Sequence, residues 1–222
     1  MKPSTMSRSR VADGAFFVVP AEFRRRGNDL RRAEVRLAQR ERMLIAVTEL
    51  VAQHGYRGVG VRDIVGRAKV SLATFYDCFT DKDACYFAAY DRFVVVLLGR
   101  LEPALEQGTE WEERVRQVVR SYLAALDADP VVARAFEVEM DALGRPARER
   151  RRRANQGMGR LVKAMREETW PDHPTLVESA YVGVVCAVQQ LASDALDGGY
   201  VGCLADMTEE ISGWVVATLG AG

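Results

Sequence analysis

From Leu30 onward, apolar residues recur at three- and four-residue spacing almost without a break. No run alternates with period two over enough residues to argue for a sheet strand. The pattern predicts an all-α chain. Leu44, Ile45, Thr48 and Val51 form the inward face of a first helix over Arg31–His54, and Gly55 is placed to end it. A short helix follows over Val61–Ala68, with Ile64, Val65 and Ala68 on its apolar side. Lys69–Val70 interrupts the pattern, and Ser71 is a natural N-cap for a third helix reaching Phe79, because its hydroxyl accepts an orphan backbone N–H. Further helices are predicted over Asp83–Leu101, Glu110–Leu126, Val131–Leu143, Ala147–Trp170, Leu176–Leu196 and Leu204–Leu219. Proline- and glycine-bearing stretches punctuate them: DADP, Gly144–Pro146, PDHPT and DGGY. Residues 1–29, with scattered Ser, Pro and Gly before RRRGND, read as a flexible basic arm.

Three helices within some 50 residues, the last two joined by a very short turn, match a helix-turn-helix. In that arrangement the second helix of the pair enters the DNA major groove. Here it is Ser71–Phe79. Helical spacing puts Phe75 and Phe79 on one side and Leu72, Ala73, Tyr76 and Asp77 on the other. A helix that leaves plain hydrocarbon facing outward needs a reason. Thymine methyl groups, the apolar feature of the major groove, supply one.

Charge sharpens this picture. The 222 residues carry no net charge, but residues 1–82 hold 16 Lys/Arg against 9 Asp/Glu, and residues 83–222 hold 15 against 22. A basic front end on an acidic remainder suggests that the front meets a polyanion. Cysteine usage changes less. Cys78, Cys85, Cys186 and Cys203 form no CxxC pair, and only His54 and His173 are available beside them, so neither a zinc site nor another cofactor is expected. Reduced cysteines acting as small hydrophobes fit a cytoplasmic protein. AFFVVP near residue 15 is too short for a signal core, and Leu176–Ala192, the longest apolar run, falls short of a membrane span and contains Glu178. A Cys78–His54–Asp63 hydrolase can be drawn on paper. However, Cys78 lies inside the reading helix and no oxyanion-type loop accompanies it, so the chain is not expected to be an enzyme.

The stretch RERMLIAVTELVAQHGYRGVGVRDIVGRAKVSLATFYDCFTDKDACYFAAYD, Arg40 to Asp91, closely resembles the DNA-binding domain of TetR-family transcriptional regulators. The first helix ending in HGY, the RDIV helix, the VS-x-x-TFY-x-x-F element and the DK opening the fourth helix carry the likeness. The resemblance implies a helix-turn-helix domain over 30–82 and a helical effector-binding and dimerisation domain over 83–222. It implies a dimeric repressor that binds a palindromic operator of double-stranded DNA and is released by a small, mainly apolar effector, or alternatively an activator or an effector-independent regulator. Tyr76 takes the place of a phosphate-contacting tyrosine, Lys82 that of a lysine reaching phosphate, and Leu72 and Ala73 those that face bases. Thr74 takes a position of either phosphate contact or packing. Ser71, Lys69, and Arg31 and Arg32 at the end of the basic arm complete the DNA-facing set; the arm, with Arg24–Arg26, either touches DNA or is a solvated tail. Two departures stand out. Gly60 replaces the usual Ser or Thr cap of the second helix, leaving only its backbone N–H. Lys69 replaces the usual turn glycine, at about 1–2 kcal/mol if that position is left-handed.

The C-terminal part carries no motif of its own. Ser179, Gly183 and Ala187 recur every fourth residue and permit close approach of another helix. With Ile211, Trp214 and Val215 of the last helix they resemble the family's two-helix dimer surface, against the alternative of a wholly internal core. Phe87, Tyr90, Phe93, Tyr122, Phe136, Met140, Met158, Leu161 and Met165 lie where the family encloses its ligand, though such residues serve equally as plain core. The run ARERRRR, Ala147–Arg153, reads as a solvated helix start rather than a second nucleic-acid patch.

Overall fold

The computed structural model describes residues 11, 16–17, 28–106, 110–199 and 202–220, and among them there are helices and no strands. Helix α1 spans Asn28–His54, α2 Val61–Ala68 and α3 Leu72–Cys78; together they form the N-terminal head. Helices α4 (Lys82–Glu106), α5 (Trp111–Ala128), α7 (Arg145–Thr169), α8 (Glu178–Asp197) and α9 (Thr208–Leu219) build the larger part. Helix α6, Pro130–Ala133, is short and runs on into a π-helical turn, Arg134–Val138, and a 3₁₀ turn, Glu139–Leu143. Where the periodicity predicts one helix over Val131–Leu143, the backbone changes its hydrogen-bond pattern twice. A π turn is a frequent companion of a functional site, and this one carries the buried Glu137.

Other boundaries moved little. Helix α4 continues past Pro103, whose missing N–H breaks one bond of the ladder near the helix end, where the loss is tolerable. The predicted Leu204–Leu219 helix opens as a 3₁₀ turn over Leu204–Met207. Two buried arginines fasten helix ends and a connecting loop. Arg166 donates to the carbonyls of Leu219 and Pro174 (2.8 and 3.1 Å), and Arg114 to Glu168 (2.8 Å) and the Thr169 hydroxyl (3.2 Å). The four cysteines are free.

The core is continuous from head to base. Phe136 lies at its centre, its ring 5.5 Å from Tyr86, 5.9 Å from Tyr90 and 5.2 Å from Phe93. Most of the loose arm expected over residues 1–29 lies outside the described residues. Val11, Phe16 and Phe17 are buried in this core, the Phe16 ring lies 5.2 Å from Phe93 with the Arg100 guanidinium over it, and α1 already begins at Asn28. Two phenylalanines bury more hydrocarbon than a solvated tail could afford to expose. Arg24–Arg26 and the side chain of Arg31 lie outside the described residues. No helix among the described residues is long and apolar enough to cross a membrane.

Candidate functional site

Two features of the head aim α3 outward. Phe75 is fully buried and Phe79 nearly so, which anchors one face of the helix. The Phe75 ring meets Tyr76 edge-on at 5.5 Å and Phe79 at 5.7 Å, and Arg40 lies over Phe79. With that side fixed, the opposite side is left to solvent: Leu72 is 44% exposed, Tyr76 56%, and Ala73 is exposed as well. Ser71 caps the helix, its Oγ accepting the Thr74 N–H at 3.0 Å, and the two hydroxyls meet at 2.8 Å. Thr74 is therefore part of the cap, a role between the two expected of it.

The turn before α3 is built on Lys69, at φ 54° and ψ 49°, the one non-glycine with positive φ among the described residues. Its side chain is exposed. Lys69→Gly is expected to relieve the left-handed strain, for a net gain of about 0.5–1 kcal/mol after the extra entropy of an unfolded glycine. Urea unfolding measures it; a loss of stability would mean that the lysine side chain holds the turn.

Lys82 is placed differently from expectation. Its ammonium donates to the carbonyls of Tyr56 (2.9 Å) and Val59 (2.8 Å) and lies 3.9 Å from the Tyr56 ring centre. Two of three donors are thus turned into the protein, pinning the α1–α2 turn to the start of α4. The Tyr56 hydroxyl donates to Asp83 beside it. The Gly60 N–H is also occupied, by Asp63 Oδ2 at 2.8 Å. On the other flank, Arg32 and Arg36 of α1 share a groove with Thr74, Asp77 and Cys78 of α3. Arg36 escaped the sequence reading, although its i, i+4 spacing from Arg32 places both on one helix face.

The hydrolase drawn from Cys78, His54 and Asp63 does not assemble. No hydrogen bond joins the three among the described residues, Asp63 is engaged with Gly60, and burial pushes the Cys78 thiol up rather than activating it. Burial likewise pushes the Cys85 thiol up to about 12.

The larger part holds a partly open cavity of about 110 Å³ between α4, α5, α7, α8 and α9. Tyr90, Phe93, Tyr122, Met158 and Met165 line it, as expected of ligand contacts, and so do Asn155, Gln189 and a set of valines and leucines. The valines read as ordinary core in the sequence, because aliphatic residues at helical spacing carry no mark of which way the void lies. Four expected ligand residues are elsewhere. Phe136 and Met140 are fully buried packing residues, Phe87 is covered by the Arg150 guanidinium at 4.6 Å, and Leu161 is 41% exposed on the outer face of α7. The ARERRRR run is largely structural: Arg150 pairs with Asp91 at 2.7 Å, and Arg151 pairs with Asp141 at 2.7 Å while donating to the carbonyls of Phe136 and Glu137.

One corner of the cavity is polar. Glu137, buried behind the wall, accepts from Tyr122 Oη (3.3 Å) and Gln189 Nε2 (2.8 Å), and Asn155 Nδ2 donates to Gln189 Oε1 (2.9 Å). Burial raises the Glu137 carboxyl above the usual range, against the lowering pull of Arg151 and of its two donors.

The outer faces of α8 and α9 form a third feature. Ser179 and Gly183 are exposed, Ala187 half-buried, and Trp214 41% exposed. Ile211 and Val215 turn inward instead, and Val215 reaches the cavity. At Gly183 an added Cβ would meet nothing within 4 Å, whereas at Gly159 it would meet Val182 at 3.0 Å. The close approach inside the chain is therefore at Gly159, between α7 and α8, and the Gly183 side is open.

Comparisons with known proteins agree with this geometry. Over 110 residues the chain is 34% identical to the HTH-type transcriptional activator FasR of Mycolicibacterium smegmatis, covering 50% of this chain and 48% of that protein. The chain thus matches about half the length of that curated relative. The fold is similar to that of the transcriptional regulator FadR of Bacillus subtilis, solved in complex with stearoyl-CoA (TM-score 0.70, 16% identity, 80% of this chain and 97% of that one). It is also similar to the fatty acid degradation regulator FadR of Bacillus halodurans (TM-score 0.68, 16% identity, 89% and 98%). Residues 44–89, from the core of α1 into α4, match the profile of bacterial regulatory proteins of the tetR family. The buried aromatic anchor and the capped helix aimed at solvent thus lie in a head that matches the tetR family over residues 44–89, and the all-helical base behind it shares the fold of the FadR structures.

Proposed function

We propose that the chain binds a palindromic operator as a homodimer, reading it with α3, and that an apolar acyl effector in the cavity changes its hold on DNA. The outward Leu72–Ala73–Tyr76 face on a helix anchored by Phe75 carries this reading. Leu72 and Ala73 contact thymine methyl groups. The Tyr76 hydroxyl and the Lys69 ammonium contact phosphate, joined by Arg32 and Arg36 along the adjacent groove. Ser71 and Lys82 act through position, the first by capping α3 and the second by holding the head to α4. The hydrocarbon lining favours a dry, apolar guest, and flexible Met158 and Met165 can repack around a longer one. The stearoyl-CoA of the Bacillus subtilis FadR structure supports an acyl chain as that guest. Release by the effector makes the protein a repressor when its operator overlaps a promoter. The likeness to the activator FasR favours a second reading, in which the bound dimer promotes transcription.

A mobility-shift assay on DNA flanking its own gene, with and without long-chain acyl-CoA, tests the proposal. Tyr76→Phe keeps the ring and removes the phosphate hydrogen bond. It is expected to weaken specific binding about 10–100-fold, since a hydrogen bond to a charged group contributes about 1.5–3 kcal/mol. Retention of any DNA equally, or full binding by Tyr76→Phe, would contradict it.

A further inference from the structure

The polar corner of the cavity has a direction. Glu137 sits on the π turn, fully buried, with both carboxylate oxygens occupied by donors from the cavity wall. Because it accepts from Gln189 Nε2, it turns Gln189 Oε1 toward Asn155. That oxygen in turn fixes Asn155 with Nδ2 toward Gln189 and, at 3.2 Å, toward Cys186 Sγ. The Tyr122 proton is directed at Glu137 as well. The Tyr122 proton, both Asn155 N–H groups and one of the two Gln189 N–H groups are thus taken up within the protein. What remains for a guest is chiefly acceptors, Asn155 Oδ1 and the lone pairs of the Tyr122 oxygen, beside the second Gln189 N–H, with the Glu137 carboxyl behind them. The Glu137 main-chain carbonyl is held in turn by Ser193 Oγ (2.9 Å) and Arg151 (3.1 Å), so the turn that supplies the carboxylate is itself fixed.

We infer that this corner sets effector specificity, selecting an apolar chain that carries a hydrogen-bond donor such as a hydroxyl, and rejecting one that presents a carboxylate there. The inference rests on the effector reading above and deepens it. Glu137 is a positioning residue: it acts through Tyr122, Gln189 and Asn155, whose orientations it dictates. A hydroxyl entering the corner donates to Asn155 Oδ1 or Tyr122 Oη. An ether of the same length leaves those acceptors without a proton, and a site built to bond a hydroxyl discriminates strongly against a guest that lacks one. A carboxylate brings a charge into a mainly apolar pocket beside the buried Glu137, the least favourable arrangement of the three.

The test measures direct binding to the full-length protein in the absence of DNA, by calorimetry or fluorescent-probe displacement, with dodecanol, its methyl ether and dodecanoate. The expected order is alcohol, then ether, then carboxylate, with about tenfold between the first two, the difference made by one hydrogen bond. Glu137→Gln can offer a donor where the carboxylate offered only acceptors, so the alcohol-to-carboxylate ratio is expected to fall at least tenfold. Tyr122→Phe removes an acceptor without moving the ring, and is expected to lower alcohol affinity while leaving ether affinity in place. Circular dichroism and thermal unfolding establish that the variants fold, and a packing defect alone would weaken all three probes together without changing their ratio. Equal affinity for alcohol and carboxylate in the wild type, an unchanged ratio in folded Glu137→Gln, or no binding of any probe would overturn the inference. Operator binding is assayed separately, so that result leaves the DNA-reading proposal standing or failing by itself.

Discussion

Replacing Phe136 by alanine is expected to destabilise the protein by about 3–5 kcal/mol, the range for truncating a buried aromatic residue. The position meets every condition for the upper part of that range. The ring is fully buried and is in aromatic contact with Tyr86, Tyr90 and Phe93, so the space it leaves is bounded by three large, rigid side chains that cannot easily collapse into it. Its neighbour Ala135 accepts the Tyr86 hydroxyl through its carbonyl, which couples the π turn to the same cluster. For a chain of this size each kcal/mol lowers the melting temperature by about 2–4 °C, so a drop of roughly 10 °C is expected in a thermal scan. Leu161→Ala is the contrasting measurement. Leu161 is exposed, and its truncation is expected to change stability by no more than about 0.5 kcal/mol. Comparable effects at both sites would show that the aromatic cluster is not the centre of the core.

Gly183→Glu is expected to leave the protomer folded and abolish the proposed dimer. An added side chain at Gly183 meets nothing within its own chain, and replacing a mid-helix glycine favours α8 by several tenths of a kcal/mol. The same helix face carries Ser179 and lies beside the exposed Trp214 of α9. If that face meets its copy, each protomer sets a carboxylate against the other near the symmetry axis, where a like-charged, desolvated pair is costly. Loss of pairing removes the gain from engaging two half-sites at once, so operator affinity is expected to fall by a factor of about 100 or more. Sedimentation and mobility shift read the two consequences separately. A variant that remains dimeric would remove α8 from the interface; one that is monomeric yet binds the operator fully would remove the dimer from DNA recognition.

Much of the head was legible in the sequence because its signals are local. A cap serine, a buried aromatic at Phe75 and helical spacing suffice to place Leu72, Ala73 and Tyr76 outside, and they lie there. The strain at Lys69 was visible only through the family resemblance, which has a glycine at that turn, and the position is left-handed. What the sequence hid were choices among partners distant along the chain. Nothing local tells Lys82 to bond the carbonyls of Tyr56 and Val59 rather than face outward, since those acceptors lie more than twenty residues upstream. The cavity was legible only as a region. Tyr90, Phe93, Tyr122, Met158 and Met165 line it, while Phe136 and Met140, of the same chemical type, fill solid core. The difference is a few ångströms of void set by how five helices meet. Helical periodicity separated inside from outside on α9 only coarsely: Trp214 lies out as the dimer reading requires, but Ile211 and Val215 do not.

The seating of Val11, Phe16 and Phe17 bears on how the N-terminus can be probed. Cutting the chain back to the start of α1 would strip away two aromatic rings as well as positive charge, so a weakened protein–DNA complex would reflect a damaged scaffold as readily as lost phosphate attraction. Exchanging Arg24, Arg25 and Arg26 for glutamine, with both phenylalanines kept, separates those causes. For the same reason, an expression vector that trims the leading residues to aid crystallisation should yield a less heat-resistant preparation.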